Sequence, residues 1–305
     1  MAAMTDAKNP TSFIEGLTKE GLAYFNSVAE GTFSSQAVAF LNAYWAEVGD
    51  QAEFIYACAW EMVKACDMHA KGMSLVHLYE EGNDLDFNIG LYFYEKLCKK
   101  VLDDSDGKWR DEKYAKSLPE MQTAIVRKKE IRDKVDVNFD GRIGFIEYLL
   151  YQYRAFADPV DFITRSMNTG AEEHPEITAA RAALEEVNKA IKAFEVEKHR
   201  LEEEAKGTGV KAMKAKHGLA ILFAGPLAET LNMSLIKAEA KVRKAIRLYG
   251  GGHVAVGDAI RARSGSAAMV AEAAHAKPTQ GSLWWMGRDL EEKKKRYGSM
   301  RKGGY

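Results

Sequence analysis

Between Ile177 and Leu201 the apolar side chains fall at Ile177, Ala180, Leu184, Val187, Ile191, Phe194 and Leu201. Their steps alternate between three and four, and Lys198 is the one polar interruption. A strand cannot use that spacing, because its faces alternate every second residue. The pattern predicts one helix over 175–205, roughly 45 Å long at ~1.5 Å per residue, with a heptad seam along its length. Such a seam must be covered. Three covers are available: the helix expected over Ala215–Leu222, the helix expected over Leu227–Tyr249, or a second copy of the chain self-associating through 177–201. An antiparallel hairpin within the chain is the simplest and is the first expectation.

The rest of the 305 residues extends the same theme. Stripes at helical spacing run through Phe13, Ile14, Leu17, Phe25 and Val28, through Val38, Leu41, Trp45 and Val48, and through Phe54, Ile55, Cys58, Met62, Val63 and Cys66. Six prolines and almost no alternating β-branched runs leave an all-α fold as the expectation. Residues 1–10 read as a loose leader. Gly31 and Ser34–Ser35 separate two helices, with a Ser as N-cap. A further helical pair spans Leu75–Leu102, residues 103–118 form a polar connector, and a helix restarts at Pro119 and runs to about Val135. Another helix reaches about Phe156, and Ala157–Asn168 reads as a boundary.

The organisation predicted is therefore an N-terminal helical region (1–70), a calcium-hand region (71–168), and a C-terminal helical bundle (169–249) containing the long helix. A Gly/Ala/Ser-rich linker (250–283, 18 of 34 residues) and a basic tail (284–305) follow.

Formal charge nearly cancels, with 43 Lys and Arg against 44 Asp and Glu, which excludes an indiscriminate nucleic-acid binder. The balance hides an uneven distribution. Residues 1–170 carry −8 and 171–205 carry −5, whereas 206–263 carry +8 and 284–305 carry +4. An acidic front and a basic back suit an acidic partner. Three cysteines (Cys58, Cys66, Cys98) are too few for a disulfide framework and point to a reducing, cytoplasmic setting. No apolar stretch reaches ~18 residues, so no membrane span is expected.

The sharpest chemical signal is DVNFDGRIGFIE, Asp136–Glu147. It matches the twelve-residue EF-hand loop. Asp136, Asn138 and Asp140 place side-chain oxygens at positions 1, 3 and 5, and Gly141 takes the sharp turn at 6. Arg142 offers its backbone carbonyl at 7, and Glu147 closes with two oxygens at 12. Gly144, at position 9, has no side-chain oxygen and leaves that place to water. Ca²⁺ is the ion such a set of hard oxygens suits. EF-hands come in pairs. Asp84–Glu95 offers Asp84, Asp86, Asn88 and Glu95 at positions 1, 3, 5 and 12, with Leu91 at position 8. Position 6 is Ile89, however, with Gly90 one place late. A β-branched residue at the sharp turn is costly, so this second loop is expected to keep the helix–loop–helix shape and bind Ca²⁺ weakly or not at all.

FLNAYWAEV (40–48), EGNDLDFNIGLYFYE (81–95), KVDVNFDGRIGFIEYLLYQY (134–153), EHPEI (173–177) and WWMGRDLEEKKKRYG (284–298) resemble the small calcium-regulated actin-bundling proteins of slime moulds and other protists. The aromatic-rich stretches and the tail carry the resemblance more specifically than the calcium loop does. It implies a cytoplasmic, cytoskeletal protein that cross-links F-actin, bundles less when Ca²⁺ binds, and concentrates in filopodia, pseudopods and the cell cortex. Candidate contacts with the acidic filament are Lys237, Lys241, Arg243, Lys244 and Arg247 on one helix, and Lys293, Lys294, Lys295 and Arg296 in the tail. The bland alternative for each is a solvated face that covers the acidic heptad helix. Trp284 and Trp285 are expected to anchor the tail in a groove.

The rival function is a calcium sensor or adaptor that offers an apolar groove to a partner helix and does not touch actin. A calcium buffer is weaker, since one good hand buffers poorly. The seven histidines are scattered, with no HExxH and no Cys/His cluster, and Gly250–Gly252 lacks a following P-loop lysine, so an enzyme is not expected.

Overall fold

The computed structural model describes residues 17–71, 82–104, 107–114, 118–167, 173–250 and 280–298, with side chains of 66–71 left aside. The expected leader 1–10, the start of the helix at Leu75 and nearly all of the expected linker lie outside the described residues. The chain divides into two compact units, 1–169 and 170–305.

In the first unit, α1 (Lys19–Ala29) is capped by Thr18, whose hydroxyl accepts from Gly21 N at 3.0 Å. α2 (Phe33–Val48) is capped by Thr32, one turn before the serines expected in that role. A 3₁₀ turn over Gly49–Gln51 leads into α3 (Ala52–Lys71). β1 (Asp84–Asp86) precedes α4 (Phe87–Leu102). The helix expected from Pro119 begins instead at Ala124, as α5 (Ala124–Glu130) capped by Thr123, and widens into one π turn at Ile131–Val135. β2 (Arg142–Gly144), α6 (Phe145–Gln152) and α7 (Pro159–Met167) complete the unit. The stretch 157–168, read as a boundary, is largely α7, because Pro159 starts a helix there rather than ending one.

No seam separates 1–70 from 71–168: α2 packs on α3, α6 and α7, and α1 on α6 and α7. Phe25, Phe33, Phe40, Leu41, Tyr44, Met62, Phe93, Phe145, Tyr148 and Phe162 are fully buried in this unit. The small antiparallel sheet pairs Leu85 with Ile143. Gly90 lets α4 lie against that pair, since a Cβ at 90 would fall 2.3 Å from Ile143 Cδ1.

In the second unit, α8 (Pro175–Ala205), α9 (Val210–Leu222), α10 (Pro226–Tyr249) and α11 (Gln280–Tyr297) form a helical bundle. α10 runs antiparallel along α8, with Lys244 pairing Glu176 at 2.7 Å and Lys237 pairing Glu186 at 2.8 Å. The seam residues Ile177, Ala180, Leu184, Val187, Phe194 and Leu201 are buried against Leu231, Leu235, Ala238 and Val242 from α10 and Ala215 and Leu222 from α9. The seam is thus spent inside the chain and is closed to a second copy.

Two further expectations change here. Gln280–Leu283 are the first turn of α11 rather than linker, and Leu283, Trp285, Met286 and Leu290 are buried, so the described part of the tail is a bundle helix. Also, an 18-residue window within Val210–Tyr249 reaches a mean hydropathy of 1.5, longer than the apolar stretches expected, and only 22% of it is buried. The turn between α9 and α10 interrupts it, whereas a membrane span needs ~20 residues of unbroken helix.

Candidate metal centre and charged surfaces

The loop Asp136–Glu147 is held by the π turn before it and by α6 after it. Gly141 sits at φ +77°, the left-handed conformation that favours glycine, and nothing stands within 4 Å of where its Cβ would be. The turn is drawn by the loop's own side chains. Gly141 N donates to Asp136 Oδ2 at 3.0 Å, Asp140 N to Asn138 Oδ1 at 3.2 Å, and Arg142 N to Asp140 Oδ1 at 2.7 Å. Glu147 lies in the first turn of α6 and reaches back. Its Oε2 accepts from Gly144 N at 2.7 Å and its Oε1 from Val137 N at 2.8 Å.

Two carboxylates here are poorly compensated. Glu147 is 2% exposed, and burial pushes its carboxyl up to about 8 against the pull of the Gly144 and Val137 amides. Burial also raises Asp136, and its Oδ1 is buried with no hydrogen-bond partner. An orphaned, buried carboxylate oxygen at position 1 opposite a buried carboxylate at position 12 is what a cation site needs. Asp136, Asp140 and Glu147 do not form a closed three-carboxylate cluster among the described residues, and Glu147 accepts from the Val137 and Gly144 amides.

The second loop is not where the spacing put it. Asp84 lies in β1 and is bound by the Arg142 guanidinium. Asp86 is the N-cap of α4, accepting from Asn88 N at 2.8 Å and Ile89 N at 3.1 Å. Asn88 and Glu95 lie on α4, where seven residues of helix separate them by ~10 Å, too far for one ion with ligands at 2.3–2.6 Å. Glu95 is exposed and pairs with Lys99 at 2.5 Å. Leu85, not Leu91, is the partner of Ile143. Counting from that pair puts Ile89 at position 12 and Leu78, outside the described residues, at position 1. An apolar residue at both ends removes the ligands that matter most.

Sequence reasoning missed Gln36. It stands in the apolar stripe Phe33–Ala37–Phe40–Leu41, is fully buried, and its amide joins three segments. Nε2 donates to Ala29 O at 2.8 Å and to Gly31 O and Asn83 O at 2.7 Å, and Oε1 accepts from Ile146 N at 2.9 Å. A polar residue at a core position of a helix was the available signal.

The basic candidates divide into two sets. Lys237, Lys244 and Lys294 pair across helices, the last with Glu239 at 2.7 Å, and Arg243 also binds Glu239. Lys293 binds Asp289, and Arg296 binds Glu292 at 3.1 Å. Lys241, Arg247 and Lys295 are exposed and have no ion pair among the described residues. Elsewhere on α9, α10 and their turn stand exposed apolar side chains: Ile221, Phe223, Met233 and Ile236.

Paired helix–loop–helix units with a short ladder between their loops, followed by a basic-faced helical bundle, define an EF-hand type protein with an appended bundle. The family model described as F actin bundling C terminal matches residues 145–278. A calcium-regulated actin-bundling protein of Dictyostelium discoideum is 54% identical over 302 residues, covering 99% of this chain and 97% of that one. The crystal structure of the 34 kDa F-actin bundling protein from the same organism is similar at a TM-score of 0.77 and 55% identity. It covers 92% of this chain and 99% of that chain. The chain belongs to the family of calcium-regulated actin-bundling proteins.

Proposed function

We propose that this protein binds actin filaments and cross-links them into bundles, and that Ca²⁺ at Asp136–Glu147 reduces the bundling. The observation that carries the reading is 54% identity over 99% of the chain with a protein so described. It is joined by a match to the F-actin bundling family over 145–278. A cytoplasmic, cytoskeletal setting follows, with filopodia, pseudopods and the cortex as the places such bundles serve.

Asp136, Asn138 and Asp140 would hold the ion by side-chain oxygens, Arg142 by its carbonyl and Glu147 by its carboxylate. Bound there, Ca²⁺ supplies the positive charge that two buried carboxylates lack. Each Glu147 oxygen keeps a second lone pair for an ion beside the Val137 or Gly144 amide it now accepts, and turning the carboxylate onto an ion would loosen those two bonds at the start of α6.

For the filament, α9 and α10 offer the better surface. Lys241 and Arg247 are charged and unpaired among the described residues, and Ile221, Phe223, Met233 and Ile236 supply exposed apolar area elsewhere on the same two helices and their turn. Charge of that sign steers the protein to an acidic polymer, and apolar contact holds it there. The sensor–adaptor reading is disfavoured by α2, which packs on α6 and α7 and occupies the apolar face such a sensor would present.

Sedimentation with actin filaments at high and low speed, first in chelator and then in calcium, tests the proposal. Bundles that pellet at low speed in chelator and diminish with calcium are expected. Failure to pellet at either speed would hand the function to the adaptor reading.

A further inference from the structure

We propose that Gln36 is a positioning residue through which calcium occupancy of the 136–147 loop reaches α1 and α2, making the N-terminal helices the first receiver of the signal. The inference rests on the calcium reading above.

The geometry at Gln36 is specific. Its two amide hydrogens are shared among three carbonyls: Ala29 O, where α1 ends, Gly31 O, in the turn before α2, and Asn83 O, beside β1. Its oxygen takes the N–H of Ile146, the residue before Glu147. These partners set the amide's orientation, because the reverse would face oxygen to three carbonyls and NH₂ to an N–H. One buried side chain therefore ties the α1–α2 turn, the degenerate loop and the first turn of α6 together. That first turn carries Glu147, the position-12 ligand, whose carboxylate also holds the Gly144 amide. A second tie supports the same path: Asn138 Nδ2, at position 3 of the loop, lies 3.3 Å from Asn26 Oδ1 on α1.

Gly144 completes the arrangement. Its φ of −76° would admit any residue, so the backbone does not require glycine there. A Cβ at 144 would instead stand 3.1 Å from Gln36 Oε1, closer than that oxygen accepts without moving. With glycine at position 9, the loop leaves room for Gln36 Oε1 to approach it.

The test uses the full-length protein, Ca²⁺ as the probe, and two variants. Gln36→Leu removes all four hydrogen bonds, whereas Gly144→Ala displaces only the acceptor side and serves if the first variant fails to fold. Calcium binding is measured by direct titration, and amide hydrogen exchange is followed separately over 19–48 and 136–152. In the unaltered protein, calcium is expected to change exchange in both segments. In the variants, compared at calcium concentrations that saturate each of them in the titration, the 136–152 response should persist while the 19–48 response falls at least severalfold. An unchanged 19–48 response in both variants overturns the role of Gln36. Calcium binding in the unaltered protein with no response over 19–48 overturns the coupling itself. No binding at all overturns the calcium reading and this inference with it.

Discussion

At the residue scale, the loop Asp136–Glu147 is the proposed calcium site, concentrated in a dozen positions. Gly141 supplies the left-handed turn, and Asp136 and Glu147 bring two carboxylates into a buried place where each is costly without a counter-charge. Asp136→Ala with Glu147→Gln removes both charges and leaves one acceptor oxygen at 147, enough for one of the Gly144 and Val137 amides but not for both. The double variant is expected to lose calcium affinity by more than about a hundredfold in titration. Its bundling should persist and become insensitive to calcium in low-speed pelleting. A variant still fully inhibited by calcium would place the governing site elsewhere. These loop residues stood out in the sequence because a calcium loop is recognised by the spacing of its oxygens alone. Gln36 did not, because its role depends on Ala29, Gly31, Asn83 and Ile146 meeting in space.

At the element scale, Gly90 is the instructive residue. Read along the chain, it is a turn glycine one place late in a second calcium loop. In the fold it lies within α4, where its missing side chain makes room for Ile143 from the opposite strand. Gly90→Ala should cost about 1–3 kcal/mol by overpacking, read from urea unfolding followed by circular dichroism. Ile143→Val removes the Cδ1 atom in the way and alone costs about 0.5–1.5 kcal/mol. The double variant should be less destabilised than the two losses added together. Strict additivity would mean that the two sites do not meet. The register error has the same origin: Asp84, Asp86, Asn88 and Glu95 have loop-like spacing, but the Leu85–Ile143 pair sets where the loop lies.

At the scale of the whole molecule, charge is spent unevenly. Much of the basic C-terminal surface neutralises acidic helix: Lys237 and Lys244 bridge to α8, and Lys294 bridges from α11 to α10. Exposed pairs of this kind contribute little stability, so their loss is tolerable. Lys241 and Arg247 have no ion pair among the described residues and are the filament contacts proposed above. Lys241→Glu with Arg247→Glu should leave thermal unfolding close to unchanged and weaken filament binding about tenfold in high-speed pelleting. The salt dependence of binding should become shallower. Binding unaltered in both respects would move the contact off this face of α10.

The sequence by itself determined the helical class, the long heptad helix and the position of the Asp136–Glu147 loop with its Gly141 turn. Each is a matter of period or of ligand spacing within one continuous stretch, which local stereochemistry decides. The tertiary structure alone decided that α10 covers the α8 seam, that the described part of the tail packs into the bundle, and that Leu85 pairs with Ile143. It also decided that Gln36 joins three segments. Those outcomes depend on which apolar faces and which unpaired backbone groups meet across long separations in the chain. The free energy of burying them belongs to the assembled core and to no single segment.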